Sequence, residues 1–126
     1  MHSLSDRTAL VCGSTQGIGF ASAVALAERG ASIVLAARDA ERLRTALASL
    51  PCVGQGQRHS TISADFADPL AVQDQAQRWT ANHGPMHILI NNTGGPPGGP
   101  ILEATPDQFL AAFRSHLLAN HLLARR

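Results

Sequence analysis

Between Thr8 and Gly30 the chain passes from a short apolar stretch (TALV) through a glycine-bearing loop, GSTQGIG (Gly13–Gly19), into an alanine-rich segment that closes with Glu28, Arg29 and Gly30. Few architectures accept this order. A short apolar run that ends in glycines has the length and flanks of a buried strand. Alanine is the best helix former, and glycine just past the last turn is the usual helix stop. The segment reads as a strand, a tight turn and a helix.

The pattern then repeats. Ser32–Ala36 (SIVLA) is short, partly β-branched and uncharged, as a strand buried on both faces should be. Asp39–Leu50 reads as a helix, with Leu43, Leu47 and Leu50 on one face and Pro51 stopping it. Ser60–Ala64 is a third strand candidate, and Asp68-Pro69 is an N-cap followed by proline at the first helical position. Val72, Ala76 and Trp79 continue that helix towards His83-Gly84-Pro85. His87–Ile90 is a fourth strand running into Asn91-Asn92-Thr93-Gly94, and Gly94–Pro100 (GGPPGGP) is too rich in Gly and Pro to be regular. Thr105-Pro106-Asp107-Gln108 has the form of a capping box, and opens a helix through Phe109, Phe113 and Leu117.

Strands separated by helices pair in parallel with right-handed crossovers. The expected fold is α/β: a Rossmann-like doubly wound parallel sheet, truncated to four strands in the order 3-2-1-4 with flanking helices. Residues 1–126 are read as one incomplete dinucleotide-binding domain, without a repeat or an internal boundary.

The first loop suits an anion. Gly13 and Gly17 permit positive φ and a close backbone approach, and Gly19 lets the helix lie tightly on the sheet. The free N–H groups of the first turn and the helix dipole then favour negative charge, and Ser14, Thr15 and Gln16 offer side-chain hydrogen bonds. The competing reading is a purely structural loop. All 10 basic residues are Arg, so a Walker A loop, which ends in Lys, is excluded. After the second strand, where many dinucleotide folds place a carboxylate on the ribose, this chain has Ala37-Arg38. An arginine there is a permanently charged, bidentate clamp for a 2′-phosphate, against the plainer alternative of a solvated side chain at a helix start.

VCGSTQGIG after the first strand, AAR after the second, ADF after the third and NNTG after the fourth stand in order, each at the end of its strand. This set resembles the classical short-chain dehydrogenase/reductase family, whose usual forms are TGxxxGIG and NNAG, over essentially all 126 residues. The resemblance implies an NADP-dependent oxidoreductase of the carbonyl reductase or secondary alcohol dehydrogenase class. It further implies that Gly13, Ser14, Thr15, Gln16, Gly17, Ile18 and Gly19 form the pyrophosphate and ribose loop, and that Arg38 meets the 2′-phosphate of NADP. Asp65 and Phe66 would hold the adenine edge, Asn92, Thr93 and Gly94 would pass over the adenine-ribose side, and Asn91 would tie neighbouring strands.

The sequence departs from the family in places. Cys12 replaces the usual Thr and Thr93 the usual Ala. An Asn that positions a proton-relay water in the family falls on His116, which reads equally as a helix-face residue. The family's catalytic Ser and Tyr-x-x-x-Lys would lie beyond the last helix, and the chain contains neither Tyr nor Lys. No catalytic residue is therefore assigned, and the chain alone is expected to be inactive. Two readings stay open: the cofactor-binding half of an oxidoreductase, or a non-catalytic NADP-binding or interaction module. An S-adenosylmethionine methyltransferase shares the topology but wants an acidic residue where Ala37-Arg38 stand.

Other classes find less support. A formal charge of +1 is too small to imply a nucleic-acid footprint, no apolar run has the length of a membrane span, and the residues before the first strand do not read as a charged-then-apolar leader. Cys12 and Cys52 read as two reduced thiols of a cytoplasmic protein. The six His residues lack metal-ligand spacing, so no metal is expected. The partner implied is a small carbonyl or alcohol. The apolar fourth strand and the leucines of the last helix suggest a homo-oligomer.

Overall fold

The computed structural model describes residues 3–92 and 100–125. Four parallel strands, β1 (Thr8–Cys12), β2 (Ser32–Ala37), β3 (Ser60–Ser63) and β4 (Ile88–Ile90), form one sheet in the order β3-β2-β1-β4. The expected topology holds. Helices α1 (Gly17–Glu28), α2 (Ala40–Ala48) and α3 (Pro69–His83) make the crossovers. After β4 come a 3₁₀ turn (Ile101–Glu103) and α4 (Pro106–Ala112), which passes through a π-helical stretch (Phe113–Leu118) into α5 (Ala119–Ala124).

Strand alternation divides the core into two layers. Ala9 and Val11 of β1, with Ile33 and Leu35 of β2, face Ala23 and Ala27 of α1 and Leu43 and Ala46 of α2. Leu10 and Cys12, with Val34 and Ala36, face the other way, onto Val72 and Ala76 of α3 and Leu123 of α5. Both central strands are thus buried on both faces, and each fully buried Val, Leu or Ile contributes about 1.5–3 kcal/mol. The alanines of α1 let that helix approach the sheet closely, since Ala23 and Ala27 are wholly buried.

Helix starts follow the sequence signals. Asp39 caps α2 by accepting from the Glu41 and Arg42 amides, so it stands just outside the helix that the leucine spacing had placed it in. Asp68 caps α3, and Thr105 with Gln108 forms the reciprocal capping box of α4. The π-helical stretch has no signature in the sequence. Apolar residues at Phe113, Leu117 and Leu118 fit either helical period, and no residue type marks an i→i+5 bond. No helix among the described residues is long and apolar enough to cross a membrane.

Candidate functional site

Parallel pairing brings the C-terminal ends of all four strands to one edge of the sheet, and β1 sits where the strand order reverses. Ligands of open α/β sheets bind in that crevice. The loop from Gly13 to Gln16 leaves β1 there, Arg38 and Asp39 leave β2, Asp65 and Phe66 follow β3, and Asn91 and Asn92 follow β4.

The loop is pinned on its inner side. Val11 pairs with Ile90, so the register sets Asn92 level with Gly13. The Asn92 side-chain amide donates to the Gly13 carbonyl at 3.2 Å. Among the described residues the tie between the strand ends is the one from Asn92, which lies on the side of the strand end that faces the loop, whereas Asn91 is exposed. Gly13 has a φ of 58°, and a Cβ there would collide with the Asn92 carbonyl oxygen. A Cβ on Gly19 would collide with the Gly13 carbonyl oxygen and come within 2.8 Å of the Asn92 amide nitrogen. These positions admit only glycine.

On its outer side the loop is open. Gly17 has a φ of 61°, no neighbouring element among the described residues comes within 4 Å of the place a Cβ would take there, and Ile18 is 79% exposed. Gln16 occupies the N-cap of α1 in an extended conformation and makes no side-chain capping bond. Asp39, Asp68 and Thr105 each supply one for α2, α3 and α4. The first-turn amides of α1 are thus left for an external acceptor, and the helix dipole favours an anionic one. Ser14 is fully buried, and its hydroxyl has no partner among the described residues. An uncapped amide cluster beside a glycine cradle fits a pyrophosphate.

The neighbouring strand ends add polar groups. The Ser63 hydroxyl donates to the Arg38 carbonyl at 3.0 Å, tying β3 to β2 and fixing the backbone from which Arg38 projects. The Arg38 side chain is exposed and its guanidinium makes no ion pair among the described residues. Asp65 is exposed and one carboxylate oxygen accepts the Ala67 amide at 2.9 Å. Phe66 is half-buried against the α3 layer of the core. Thr93 and Gly94 lie outside the described residues.

Several polar roles escaped the sequence reading. His59 accepts the Ile33 amide at 3.0 Å through Nδ1 and lies 2.8 Å from the Pro51 carbonyl through Nε2. His87 accepts the Thr8 amide at 3.0 Å, and His83 stacks on Trp79. These histidines serve the frame of the sheet, and among the described residues no group of three or more His, Cys, Asp or Glu could hold a metal ion. His116 is half-buried in the π-helical stretch, where its carbonyl accepts the Asn120 amide at 2.6 Å. Cys12, directly before the loop, is fully buried, and burial pushes its thiol pKa from the ordinary 9.0 up to about 12. It is a packing residue, not a nucleophile.

The short chain dehydrogenase family matches residues 7–125. The chain belongs to that family. Among its relatives, 1-deoxy-11-beta-hydroxypentalenate dehydrogenase of Streptomyces arenae is 33% identical over an alignment of 127 positions that covers 99% of this chain and 44% of that protein. Gluconate 5-dehydrogenase of Gluconobacter oxydans is 39% identical over 103 residues, covering 82% of this chain and 40% of that protein. L-Sorbose reductase of Gluconobacter frateurii, solved with NADPH and L-sorbose, superposes with a TM-score of 0.86 at 32% identity, covering 98% of this chain and 47% of that one. A metagenomic short-chain oxidoreductase solved with NADP gives 0.85 at 36% identity, covering 98% and 55%. The chain spans less than half the length of the curated relatives it matches. The Rossmann-like sheet expected of a short-chain dehydrogenase is therefore the fold observed.

Proposed function

We propose that this chain is the cofactor-binding half of an NADP-dependent short-chain oxidoreductase of the carbonyl reductase or secondary alcohol dehydrogenase class. One observation carries the reading: the uncapped first turn of α1 opens onto the glycine loop at the same sheet edge from which Arg38 projects. The loop residues Gly13, Ser14, Thr15, Gln16, Gly17, Ile18 and Gly19 would hold the pyrophosphate and adenosine ribose, and Arg38 the 2′-phosphate. Asp65 and Phe66 would bound the adenine. Asn92 would set the loop, with Thr93 and Gly94 continuing past the ribose. Both solved relatives described above carry NADP or NADPH, which supports the same cofactor here.

The bound nicotinamide supplies or accepts a hydride. The part of these residues is to bind and orient. The amides of α1 would offset the charge of a pyrophosphate, and the pinned Gly13 backbone would keep the loop that presents them in place. Reduction of a carbonyl also needs a proton at the developing alkoxide. The 126 residues hold neither Tyr nor Lys, so a phenol donor tuned by an ammonium has to come from outside them. A second reading is a module that binds NADP without turnover. We also propose a cytoplasmic homo-oligomer, in which the exposed Phe109, Leu110, Phe113 and Leu117 of the last helix are covered; sedimentation of Leu117→Glu at several concentrations tests it, and an unchanged mass would overturn it.

Titration of the protein with NADPH and NADH, followed by nicotinamide fluorescence, tests the cofactor assignment. Tighter binding of NADPH that Arg38→Ala abolishes is the expected result, by roughly 1.5–3 kcal/mol for a charge-assisted pair. Equal affinities in the unmutated protein overturn it. Steady NADPH oxidation with small ketones or ketoses separates the enzyme from the module.

A further inference from the structure

The last helix changes its hydrogen-bond period part-way along. The Phe113 amide donates to the Leu110 and Phe109 carbonyls, three and four residues back. The Ala119 amide donates to the Arg114 carbonyl, five residues back, and the Arg125 amide to the His121 carbonyl, four back again. Between these last two bonds lie the amides of residues 120–124 and the carbonyls of residues 115–120, so five donors face six acceptors. One carbonyl at the junction has no helical amide to accept. The Asn120 side-chain amide donates to the His116 carbonyl at 2.6 Å, and so supplies the missing donor from a side chain.

The two halves of this helix are held unequally. α5 is anchored: Ala119, Leu122 and Leu123 are buried, and Leu123 packs in the core layer of Val72 and Ala76. Neither α4 nor the π-helical stretch buries a residue, and Phe109, Leu110, Phe113 and Leu117 stand half exposed. The core therefore fixes α5 more firmly than α4. Leu123 and Ala124 line one cavity with Pro85, Met86 and His87, beside the start of β4. The helix thus ends at the opposite edge of the sheet from the glycine loop, and α4 lies towards the loop edge.

We infer that Asn120 is the latch of a register switch in the last helix. With its side-chain amide on the His116 carbonyl, the surplus acceptor is satisfied and the π period is held. Without that bond the turn satisfies the carbonyl by closing to the α period. The Asn120 backbone amide then takes the His116 carbonyl, and the Ala119 amide moves from Arg114 to Ser115. Closing the widened turn shifts one half of the helix against the other by one residue. Because α5 is anchored, α4 makes the move: it turns by about 100° and travels about 1.5 Å along its axis. Phe109, Leu110 and Phe113 then present a different face beside the loop edge. Asn120 Oδ1 is buried and has no partner among the described residues, so the latch rests on its amide alone.

The test is magnetic resonance of the isotope-labelled protein, reading the scalar coupling across each hydrogen bond of the helix. It compares the unmutated protein with Asn120→Asp, Asn120→Leu and a variant from which Ser115 is deleted. The Ala119 amide should couple to the Arg114 carbonyl in the unmutated protein and to the Ser115 carbonyl in both substituted variants, which lack the donor. Amide exchange in β1 and β2 should not change, which separates a turn of α4 from a loss of the fold. Deleting Ser115 removes the surplus residue itself. That variant should fold, bond with the α period throughout, and keep its couplings when Asn120→Leu is added. A coupling that stays on Arg114 in Asn120→Asp overturns the latch, and a coupling to Ser115 in the unmutated protein overturns the switch. If Asn120→Leu does not fold, the near-isosteric Asp variant and the deletion decide. A deletion variant that unfolds shows that no residue of the stretch is surplus, and overturns the inference.

Discussion

The side-chain amide of Asn92, at the end of β4, donates to the carbonyl of Gly13, at the end of β1, across 3.2 Å. Together with the bond from the Gly13 amide to the Ala36 carbonyl at 2.9 Å, it fixes the height of the glycine loop relative to the crevice. It also leaves no room: the Asn92 carbonyl and amide both crowd the places where Gly13 and Gly19 would carry a Cβ. Replacing Asn92 by Leu removes the donor and sets a branched apolar group against a backbone carbonyl. The expected cost is about 1–3 kcal/mol in unfolding free energy, from an acceptor left without its partner. Chemical denaturation measures it, and a loss below about 0.5 kcal/mol would show that water replaces the amide.

The glycines of the loop should separate into two kinds. Gly13→Ala and Gly19→Ala place a Cβ against backbone that cannot move aside, and Gly13 adds a left-handed φ of 58°. Each should cost more than about 3 kcal/mol, among the largest single-site effects. Gly17→Ala meets no neighbouring element within 4 Å among the described residues and bears the left-handed conformation, about 1–2 kcal/mol. Its effect should appear instead in the binding of NADPH, because the added methyl points into the open side of the loop. Melting curves and fluorescence titration of the three variants give the comparison, and a Gly17 variant with unchanged affinity would place the pyrophosphate elsewhere.

The strand order and the loop were readable because each depends on local, periodic signals. SIVLA can only be a strand buried on both faces, and a cap such as Asp68-Pro69 marks a helix start by chemistry within four residues. What was not readable depends on register. Which of Asn91 and Asn92 meets Gly13 follows from the pairing of Val11 with Ile90, and no local pattern announces that pairing. The structural histidines are of the same kind: His59 meets Ile33 across 26 positions, and His87 meets Thr8 across 79.

His59 should matter to stability and not to the cofactor. Its Nδ1 receives the amide of Ile33, a fully buried residue, at the sheet edge opposite the glycine loop. His59→Leu leaves that N–H without an acceptor, at about 1–3 kcal/mol. His87→Leu removes a bond of similar length at an exposed site, where water can take over, and should cost less. Denaturation of both variants, with NADPH affinity measured alongside, is the check. A larger loss for His87, or weaker cofactor binding in His59→Leu, would contradict the division of the sheet into a structural edge and a ligand edge.

Cys12 gives the chain a pH dependence whose sign follows from burial. Its thiol pKa is pushed from the ordinary 9.0 up to about 12 because the folded core does not solvate a thiolate. A pKa raised on folding means that the unfolded state ionises first. The contribution is therefore fully present below pH 9 and is lost progressively as the pH rises from 9 towards 12. Cys12→Ala should flatten this alkaline decline while lowering stability at neutral pH, since it leaves a small cavity between β1 and α3. Thiol counting with an aromatic disulfide reagent at about pH 8, below the ordinary thiol pKa, offers the second readout. Of the two free cysteines, Cys52 is exposed and Cys12 buried, so one equivalent should react in the folded protein and the second only on denaturation. Rapid reaction of both would mean that β1 opens readily next to the loop, and that the floor of the proposed cofactor site is less rigid than its packing implies.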